Sequence, residues 1–358
     1  MKIILSGGGT LGPVTPLLAI VEAYKKKYLG TQFIWVGTKI GPERELVEKY
    51  QIPFFVIGAG KWRRYFSLWN LLDIFKLFIA SIQSFVLILQ EKPDLLISAG
   101  GFVSVPLHWA GAMLGVPAWV HQQDARPGLS NKLMVVFAKK ITTALKDSVK
   151  YFSAKKTEWI GNPARDLSVD NPLASREKFG ISAGAPVIFA MGGGTGSMRV
   201  NQMVIEALQH WPKEWQIIHL VGRERPKQMS ENATKIFNNY HVYDFFTEEM
   251  KDAYAAADVV VARAGFSSIT ELAALSKPVI LLPMADTHQE DNAEYFGKKN
   301  AAIVLNERLT SGLQLAQEVK NLLEDSVQRE LLGRRLHEIL PVVEDSKIVE
   351  VINGLVKD

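Results

Sequence analysis

Twice along this chain a short apolar run ends in consecutive glycines and gives way to a helix-length segment. The first is Ile3-Ile4-Leu5-Ser6-Gly7-Gly8-Gly9-Thr10-Leu11-Gly12; the second is Ile188-Phe189-Ala190-Met191-Gly192-Gly193-Gly194-Thr195-Gly196-Ser197. A strand that runs through such a turn into a helix is the opening of a βαβ unit, since parallel strands need a crossover long enough to hold a helix. Two such openings constrain the chain to two α/β domains, which 358 residues and 47% hydrophobic content can supply with separate cores. Further β-rich runs support six strands per half. In the first half they are Lys2 to Leu5, Phe33 to Val36, Phe54 to Ile57, Asp94 to Ser98, Ala118 to His121 and Ile141 to Ala144; in the second, Val187 to Met191, Gln216 to Val221, Val242 to Phe245, Val259 to Ala262, Val279 to Leu282 and Ala302 to Leu305. The expected fold is two Rossmann-like, doubly wound domains facing across a cleft. Trp159-Ile160-Gly161-Asn162-Pro163 breaks the pattern as a hinge, giving domains 1–160 and 161–340, and the amphipathic stretch within 341–358 forms a closing helix on either one.

Composition narrows the function. With no cysteine, disulfides, thiolate metal sites and a cysteine nucleophile are excluded, and no secretory signal is read in Met1 to Gly9, so a cytosolic chain is expected. The net charge of +4 hides an asymmetry: 20 Lys and Arg against 10 Asp and Glu up to Asn162, then 21 against 27 from Pro163 onward. A basic half beside an acidic one suits an anionic partner for the first domain.

Backbone N–H groups at a glycine turn, at the positive end of a helix dipole, form a ready site for phosphate. Both turns fit that description, and neither has the Gly-Lys-Ser/Thr of an ATP-binding loop or a clean G-x-G-x-x-G. In the first domain Gly9, Thr10 and Gly12, joined by Gly100, Gly101 and Ser104 of the turn Ser98-Ala99-Gly100-Gly101-Phe102-Val103-Ser104, are expected on a diphosphate. In the second, Gly193, Gly194, Thr195 and Gly196 are expected on the other. His121-Gln122-Gln123-Asp124 follows a strand end; His121 reads as a hydrogen-bonded core residue and Asp124 as the better candidate for reactive work. Arg263 to Glu271 admits two readings: a helix capped by Ser267 or Ser268 with Glu271 near its third position, or a serine turn closing on a nucleotide while Glu271 grips two ribose hydroxyls. His288 and Gln289 open another helix where sugar hydroxyls would bind. No H-x-x-x-H accompanies His288, so no metal is expected. The segment Lys61 to Trp69 places Trp62, Arg63, Arg64, Phe66 and Trp69 together, as an attachment to an anionic lipid surface does, while the uncharged Leu77 to Leu89 is too short to span a bilayer. Nucleic acid is not expected.

The ordered motifs Gly8-Gly9-Thr10-x-Gly12, Gly100 to Ser104, His121-x-Gln123, Gly128-Leu129-x-Asn131-Lys132, Gly161-Asn162-Pro163-x-Arg165, Gly192-Gly193, Arg263-x-Gly265 through Glu271, and His288-Gln289-x-x-Asn292-Ala293 extend over nearly the whole chain. They resemble the bacterial UDP-GlcNAc:undecaprenyl-pyrophosphoryl-muramoyl-pentapeptide transferases of glycosyltransferase family 28, the peripheral enzymes that convert lipid I to lipid II. The resemblance implies a GT-B fold, metal-independent inverting transfer with no cofactor, UDP-GlcNAc and lipid I as substrates, a place on the cytoplasmic face of the plasma membrane, and cell-wall synthesis and division proteins as partners. It implies that Arg165, Gly194, Thr247, Phe266, Ser267, Ser268, Ile269, Thr270, Glu271 and Gln289 hold UDP-GlcNAc, with Thr10, Leu11, Gly12 and Asp124 near the sugar and the acceptor diphosphate. Gly193, Thr195, Gly196, Arg263 and His288 join the donor set.

Two departures stand out. Pro13 follows the first glycine loop where the family usually has histidine, and Gln122 and Asp124 replace a glutamate and an asparagine. The proton acceptor is thereby left open, with Asp124 the candidate. The leaving diphosphate would be met by the helix behind Gly193 to Ser197 and by Arg165, and closure about the hinge would exclude water. The alternatives are a UDP-GlcNAc 2-epimerase, which has no use for Lys61 to Trp69, and a non-catalytic nucleotide-sugar-binding relative.

Overall fold

Every strand pairing among the described residues is parallel. This explains the unbroken apolar runs: a strand covered by helices on both faces has no solvent side to leave polar. The computed structural model describes residues 1–41, 43–58, 69–226 and 228–356, and the backbone alone at 69–75 and 229. The chain divides into two compact units, Met1–Arg165 with Val342–Asp358, and Asp166–Pro341. The division falls after Arg165 rather than after residue 160.

The first unit holds β1 (Lys2–Ser6), β2 (Gln32–Gly37), β3 (Phe54–Val56), β4 (Leu95–Ser98), β5 (Ala118–Gln122), β6 (Lys140–Thr143) and β7 (Thr157–Trp159), in the order β3-β2-β1-β4-β5-β6-β7. The second holds β8 (Val187–Met191), β9 (Gln216–Leu220), β10 (Tyr240–Tyr243), β11 (Val259–Ala262), β12 (Val279–Leu281) and β13 (Ile303–Val304), ordered β10-β9-β8-β11-β12-β13. Both are Rossmann-like. In each, the strand order reverses beside the first strand, at β1/β4 and β8/β11, so the loops after those strands meet at the carboxyl edge where such sheets bind ligands.

The first sheet has seven strands where six were expected. The addition, β7, is a three-residue edge strand whose Glu158 bonds Lys140 at 2.5 Å and Lys347 at 2.7 Å, and a run so short and polar carries no apolar signal. In the second unit β10 sits two residues earlier than expected, because Phe246 turns inward instead, 5% exposed, to pack on Phe179 and Phe189.

The helix Thr15–Lys27 buries Leu17, Ile20 and Tyr24 over the first sheet. The closing helix Asp345–Asn353 packs on the same cluster through Ile348 and Ile352, so it belongs to the first unit. Tyr24 Oη donates to Asn353 Oδ1 at 2.8 Å, and Lys26 pairs with Asp345 at 2.8 Å. Val343 N donates to Asn162 O at 3.2 Å where the chain returns.

Among the described residues no helix is long and apolar enough to cross a membrane. Trp62, Arg63, Arg64 and Phe66, and the side chain of Trp69, lie outside the described residues.

Candidate functional site

The first glycine loop leaves β1 and is stapled from three sides. Trp35 Nε1 donates to Gly7 O at 3.0 Å, Gln123 Nε2 donates to Gly12 O at 3.2 Å and Ala99 O at 3.3 Å, and Gly9 N donates to Glu43 Oε2 at 3.2 Å. Gly9 takes φ +84°, a left-handed conformation that glycine adopts without strain. Leu11 O accepts from Val14 N and Thr15 N, which starts the helix Thr15–Lys27 without a side-chain cap. Thr10 is exposed, Leu11 and Gly12 half-exposed. The loop after β4 touches this one: a Cβ on Gly101 would stand 3.1 Å from Gly8 N. Here one expectation is corrected. Ser104 is fully buried, its hydroxyl donating to Gly100 O at 3.0 Å, so it closes its own loop instead of facing a ligand.

After β5, His121 is buried between Thr142 Oγ1 at 2.8 Å and Asn162 Oδ1 at 2.7 Å; burial pushes its imidazole down to about 4, against the pull of Asn162. It is the core residue expected. Gln122 Nε2 donates to Asp124 O at 2.8 Å and Gln122 Oε1 accepts from Asn131 Nδ2 at 2.6 Å, fixing the turn that carries the half-buried Asp124. The Gln122 amide thus donates at a place where a carboxylate oxygen would face the Asp124 carbonyl. Ser6 Oγ, Gln123 Oε1, Asn131 Oδ1 and Thr143 Oγ1, on or next to the strand ends of this edge, are buried without a hydrogen-bond partner. Arg165 belongs to the first unit, where burial and Glu22 push the Tyr50 phenol up against the opposing charge of Arg165.

The second glycine loop is built differently. Gly196 approaches Gly222 so closely that a Cβ on it would lie 2.3 Å from Val221 O, whereas a Cβ on Gly193 would meet nothing within 4 Å. Gly194 and Thr195 are exposed. Ser197 caps the helix Met198–Ala207, its Oγ accepting from Val200 N at 3.3 Å and from Arg263 Nη2 at 2.7 Å. Arg263 also donates to Leu282 O at 2.9 Å and pairs with Glu307 at 2.5 Å, both side chains nearly buried. Its guanidinium is thus directed into the unit, tying the loops after β8, β11 and β12 together, rather than outward to a donor as expected. Arg225 Nη2 donates to Gly196 O at 3.2 Å, adding a cation behind the loop.

The helix Phe266–Ala274 starts from Gly265 with no side-chain cap. The capping alternative therefore fails: Ser267 and Ser268 lie inside the first turn, and Glu271 lies beyond it. Phe266 and Ile269 are buried, and Thr270 Oγ1 donates to Phe266 O at 2.8 Å, so these three face the core. Ser267 and Ser268 are half-exposed, at an end whose first amides have no intrahelical partner. Glu271, 8% exposed, accepts from Tyr254 Oη at 2.9 Å. Thr247 N donates to Glu249 Oε2 at 3.1 Å in the turn after β10. His288 is exposed, and Gln289 Oε1 accepts from Met284 N at 3.0 Å. Among the described residues no group of three His, Cys, Asp or Glu is placed to hold a metal.

The description of the glycosyltransferase family 28 N-terminal domain matches residues 3–143, and that of its C-terminal domain matches residues 187–335. The chain belongs to glycosyltransferase family 28. Among curated family 28 relatives, the UDP-N-acetylglucosamine--N-acetylmuramyl-(pentapeptide) pyrophosphoryl-undecaprenol N-acetylglucosamine transferase of Clostridium perfringens is 34% identical over 356 residues, 96% of this chain and 98% of its own. The enzyme of the same name from Staphylococcus carnosus is 37% identical over 314 residues, 86% and 84% of the two chains. The crystal structure of Acinetobacter baumannii MurG superposes with a TM-score of 0.75 at 23% identity, covering 99% of each chain. The UDP-GlcNAc 2-epimerase of Neisseria meningitidis, bound to UDP-GlcNAc, gives 0.65 at 13%, covering 99% of this chain and 100% of its own. At those identities both structures speak to the shared two-domain GT-B plan alone.

Sequence reasoning missed three groups at these loops of the family 28 chain: Glu43 in the first unit, Arg225 and Glu307 in the second. Each meets its loop only through the fold, Glu43 at a sequence distance of 34 residues and Arg225 at 29. The Arg-Glu-Arg of 223–225 beside a strand end was the one signal available.

Proposed function

We propose that this family 28 chain moves GlcNAc from UDP-GlcNAc to the C4 hydroxyl of the MurNAc sugar of undecaprenyl-pyrophosphoryl-MurNAc-pentapeptide, converting lipid I to lipid II. The observation that carries the reading is end-to-end identity of 34% with a relative of that named activity. The epimerase reading has only a shared fold behind it.

In this reading the C4 oxygen bonds to the anomeric carbon with inversion while the bond from that carbon to the β-phosphate oxygen breaks, its electron pair leaving with UDP. Asp124 takes the hydroxyl proton. The histidines of the first unit are unsuited: His121 is enclosed by its partners, and His108 is buried, its imidazole pushed down to about 4 by desolvation. The second unit holds the donor. Exposed Gly194 and Thr195, at the amino end of a ten-residue helix, suit its diphosphate, with Arg225 behind Gly196 as a further cation. Glu271 suits the ribose and Ser267 and Ser268 the nucleotide, with Thr247, His288 and Gln289 at neighbouring loops of the same sheet edge. Thr10 to Gly12 and the Gly100-Gly101 loop suit the acceptor diphosphate, without a metal.

A peripheral place on the anionic cytoplasmic membrane surface is part of the proposal. Its support is the helix Trp69–Glu91, where Phe78, Ile79, Ile82, Val86 and Leu89 are exposed at spacings of one helix face. Cell-wall synthesis and division proteins are the partners such a position would suit.

The test is UDP release from UDP-GlcNAc with and without lipid I, in the presence of EDTA, with lipid II identified by mass. Acceptor-dependent release and a product heavier by one GlcNAc are expected. Release without acceptor, or epimerised UDP-GlcNAc, would overturn the reading.

A further inference from the structure

Glu43 opens the helix Glu43–Lys49, in a sequence, Glu-Arg-Glu-Leu-Val-Glu-Lys, that reads as a solvated amphipathic turn. It is nevertheless 0% exposed. A carboxylate is buried at such cost that its oxygens must be satisfied, and here donors from two loops converge on it. Oε2 accepts from Gly9 N at 3.2 Å; Oε1 accepts from Thr38 N at 2.8 Å and from the Thr38 hydroxyl. The chamber is walled by glycines. A Cβ on Gly8 would stand 2.3 Å from Oε1, one on Gly41 2.0 Å from Oε2, and one on Gly37 3.3 Å from Oε1. Gly8 and Gly41, where an added side chain would strike the carboxylate first, and Gly37, where it would strike Phe54 at 2.4 Å and crowd the carboxylate behind it, describe a seat shaped for this group, not a surface group folded in by chance.

The seat has a consequence for the first glycine loop, which was expected to offer Gly9 to a diphosphate. The Gly9 amide already holds an anionic oxygen from within the chain. We infer that Glu43 is the positioning residue of this loop: it retains the Gly9 amide and so fixes the turn in the shape that presents Thr10 to Gly12 to the acceptor's diphosphate. Since this rests on the proposed acceptor, the experiment reads the loop in two independent ways.

Glu43→Gln keeps the volume but supplies one acceptor oxygen and an amide that donates. Its NH2 must then oppose either the Gly9 N–H or the Thr38 donors. Hydrogen exchange of the segment Gly7 to Pro13 is compared in wild type and E43Q without substrate, and steady-state transfer is measured with lipid I and UDP-GlcNAc varied in turn. The expected result is at least tenfold faster exchange in that segment, an acceptor KM raised about tenfold, a UDP-GlcNAc KM within twofold of wild type, and partial recovery of the acceptor KM in Glu43→Asp. Unchanged exchange overturns the inference whatever the substrate proves to be, as does a variant whose two KM values rise together. If wild type does not act on lipid I, the proposed function fails, and exchange alone decides whether Glu43 holds the loop. Should E43Q be too unstable to assay, Thr38→Val, which removes only the hydroxyl donor, must show the same acceptor-selective change in milder form; no change there overturns the inference.

Discussion

The two glycine loops begin from nearly the same sequence and end as different devices. In the first, Gly9 is pinned by a buried carboxylate and the turn is clamped by Trp35 and Gln123. In the second, Gly194 and Thr195 stand exposed, and the loop is held from beneath, where Ser197 receives Arg263 and Arg263 is neutralised by Glu307. A glycine turn between a strand and a helix therefore specifies a backbone path only; whether its amides serve a ligand is decided by what other segments bring to it. The first loop is a turn stapled by its neighbours, the second a turn whose outer residues stay open.

If that division of labour holds, the largest effect should come from the first unit's only proposed reactive group. Asp124→Asn keeps the backbone that Gln122 fixes and removes the proton acceptor, so turnover should fall by about 10²- to 10⁴-fold with UDP affinity within about twofold. Equal turnover would remove Asp124 from the role; loss of UDP affinity would place it in the donor site instead.

Next in size are two ways of undoing the second loop's support. Arg263→Met leaves the Glu307 carboxylate nearly buried without its cation, and breaking such a pair costs about 3–5 kcal/mol. Adding Glu307→Leu should return most of that stability, because the uncompensated charge goes with it. Failure of the second change to rescue would mean that Arg263 matters through Ser197 and the Leu282 carbonyl rather than through Glu307. Gly196→Ala drives a Cβ against the Val221 carbonyl at a φ of +74°; crowding and left-handed strain together should cost about 3 kcal/mol and weaken UDP-GlcNAc binding, while the acceptor KM stays near its wild-type value.

Much of the fold was legible because parallel, doubly covered strands leave long apolar runs, and the glycine-rich openings marked the first strand-to-helix turn of each unit. What escaped had a common cause. β7 is three residues at a sheet edge, stabilised by Glu158 with lysines from distant segments. Glu43 sits in a charged heptapeptide, and nothing local says that glycines at 8, 37 and 41 will enclose it. Arg263 read as a ligand cation because its partner, Glu307, arrives from beyond β13. Local patterning encodes elements; which polar groups neutralise one another is a property of the topology. Of the two readings open for Ser267 and Ser268, the cap fails for a smaller reason, since Gly265 ends the extended segment and the helix begins without a side-chain cap.

Acidity tests whether the two units differ in their interiors as they do in their loops. Burial holds His108 and His121 in the first unit at about 4 and His219 in the second at about 3, and lowers His241 as well. An unfolded imidazole titrates near 6.5, so above that pH the stability is undiminished; as pH falls below it, the unfolded chain gains protons that the folded chain does not, and stability is lost progressively toward the folded values. By pH 5 each fully buried imidazole should have cost on the order of 2 kcal/mol. Calorimetry from pH 7.5 to 5 should show both units melting earlier by similar amounts. A shift confined to one would break the equivalence of their interiors.

The smallest expected effect discriminates most finely between a loop shaped by packing and one shaped for a ligand. Gly193 has a φ of +85°, as left-handed as Gly196, yet a Cβ there meets no atom within 4 Å. Gly193→Ala should then cost only the conformational strain, about 1–2 kcal/mol, far less than at a crowded glycine with the same backbone. If the open space over Gly193 is where a donor diphosphate lies, the added methyl group should raise the UDP-GlcNAc KM well beyond what that modest destabilisation explains. A variant with the small stability loss and an unchanged donor KM would show that the gap above Gly193 is not a binding surface, and the contrast between an open and a stapled loop would lose its functional meaning.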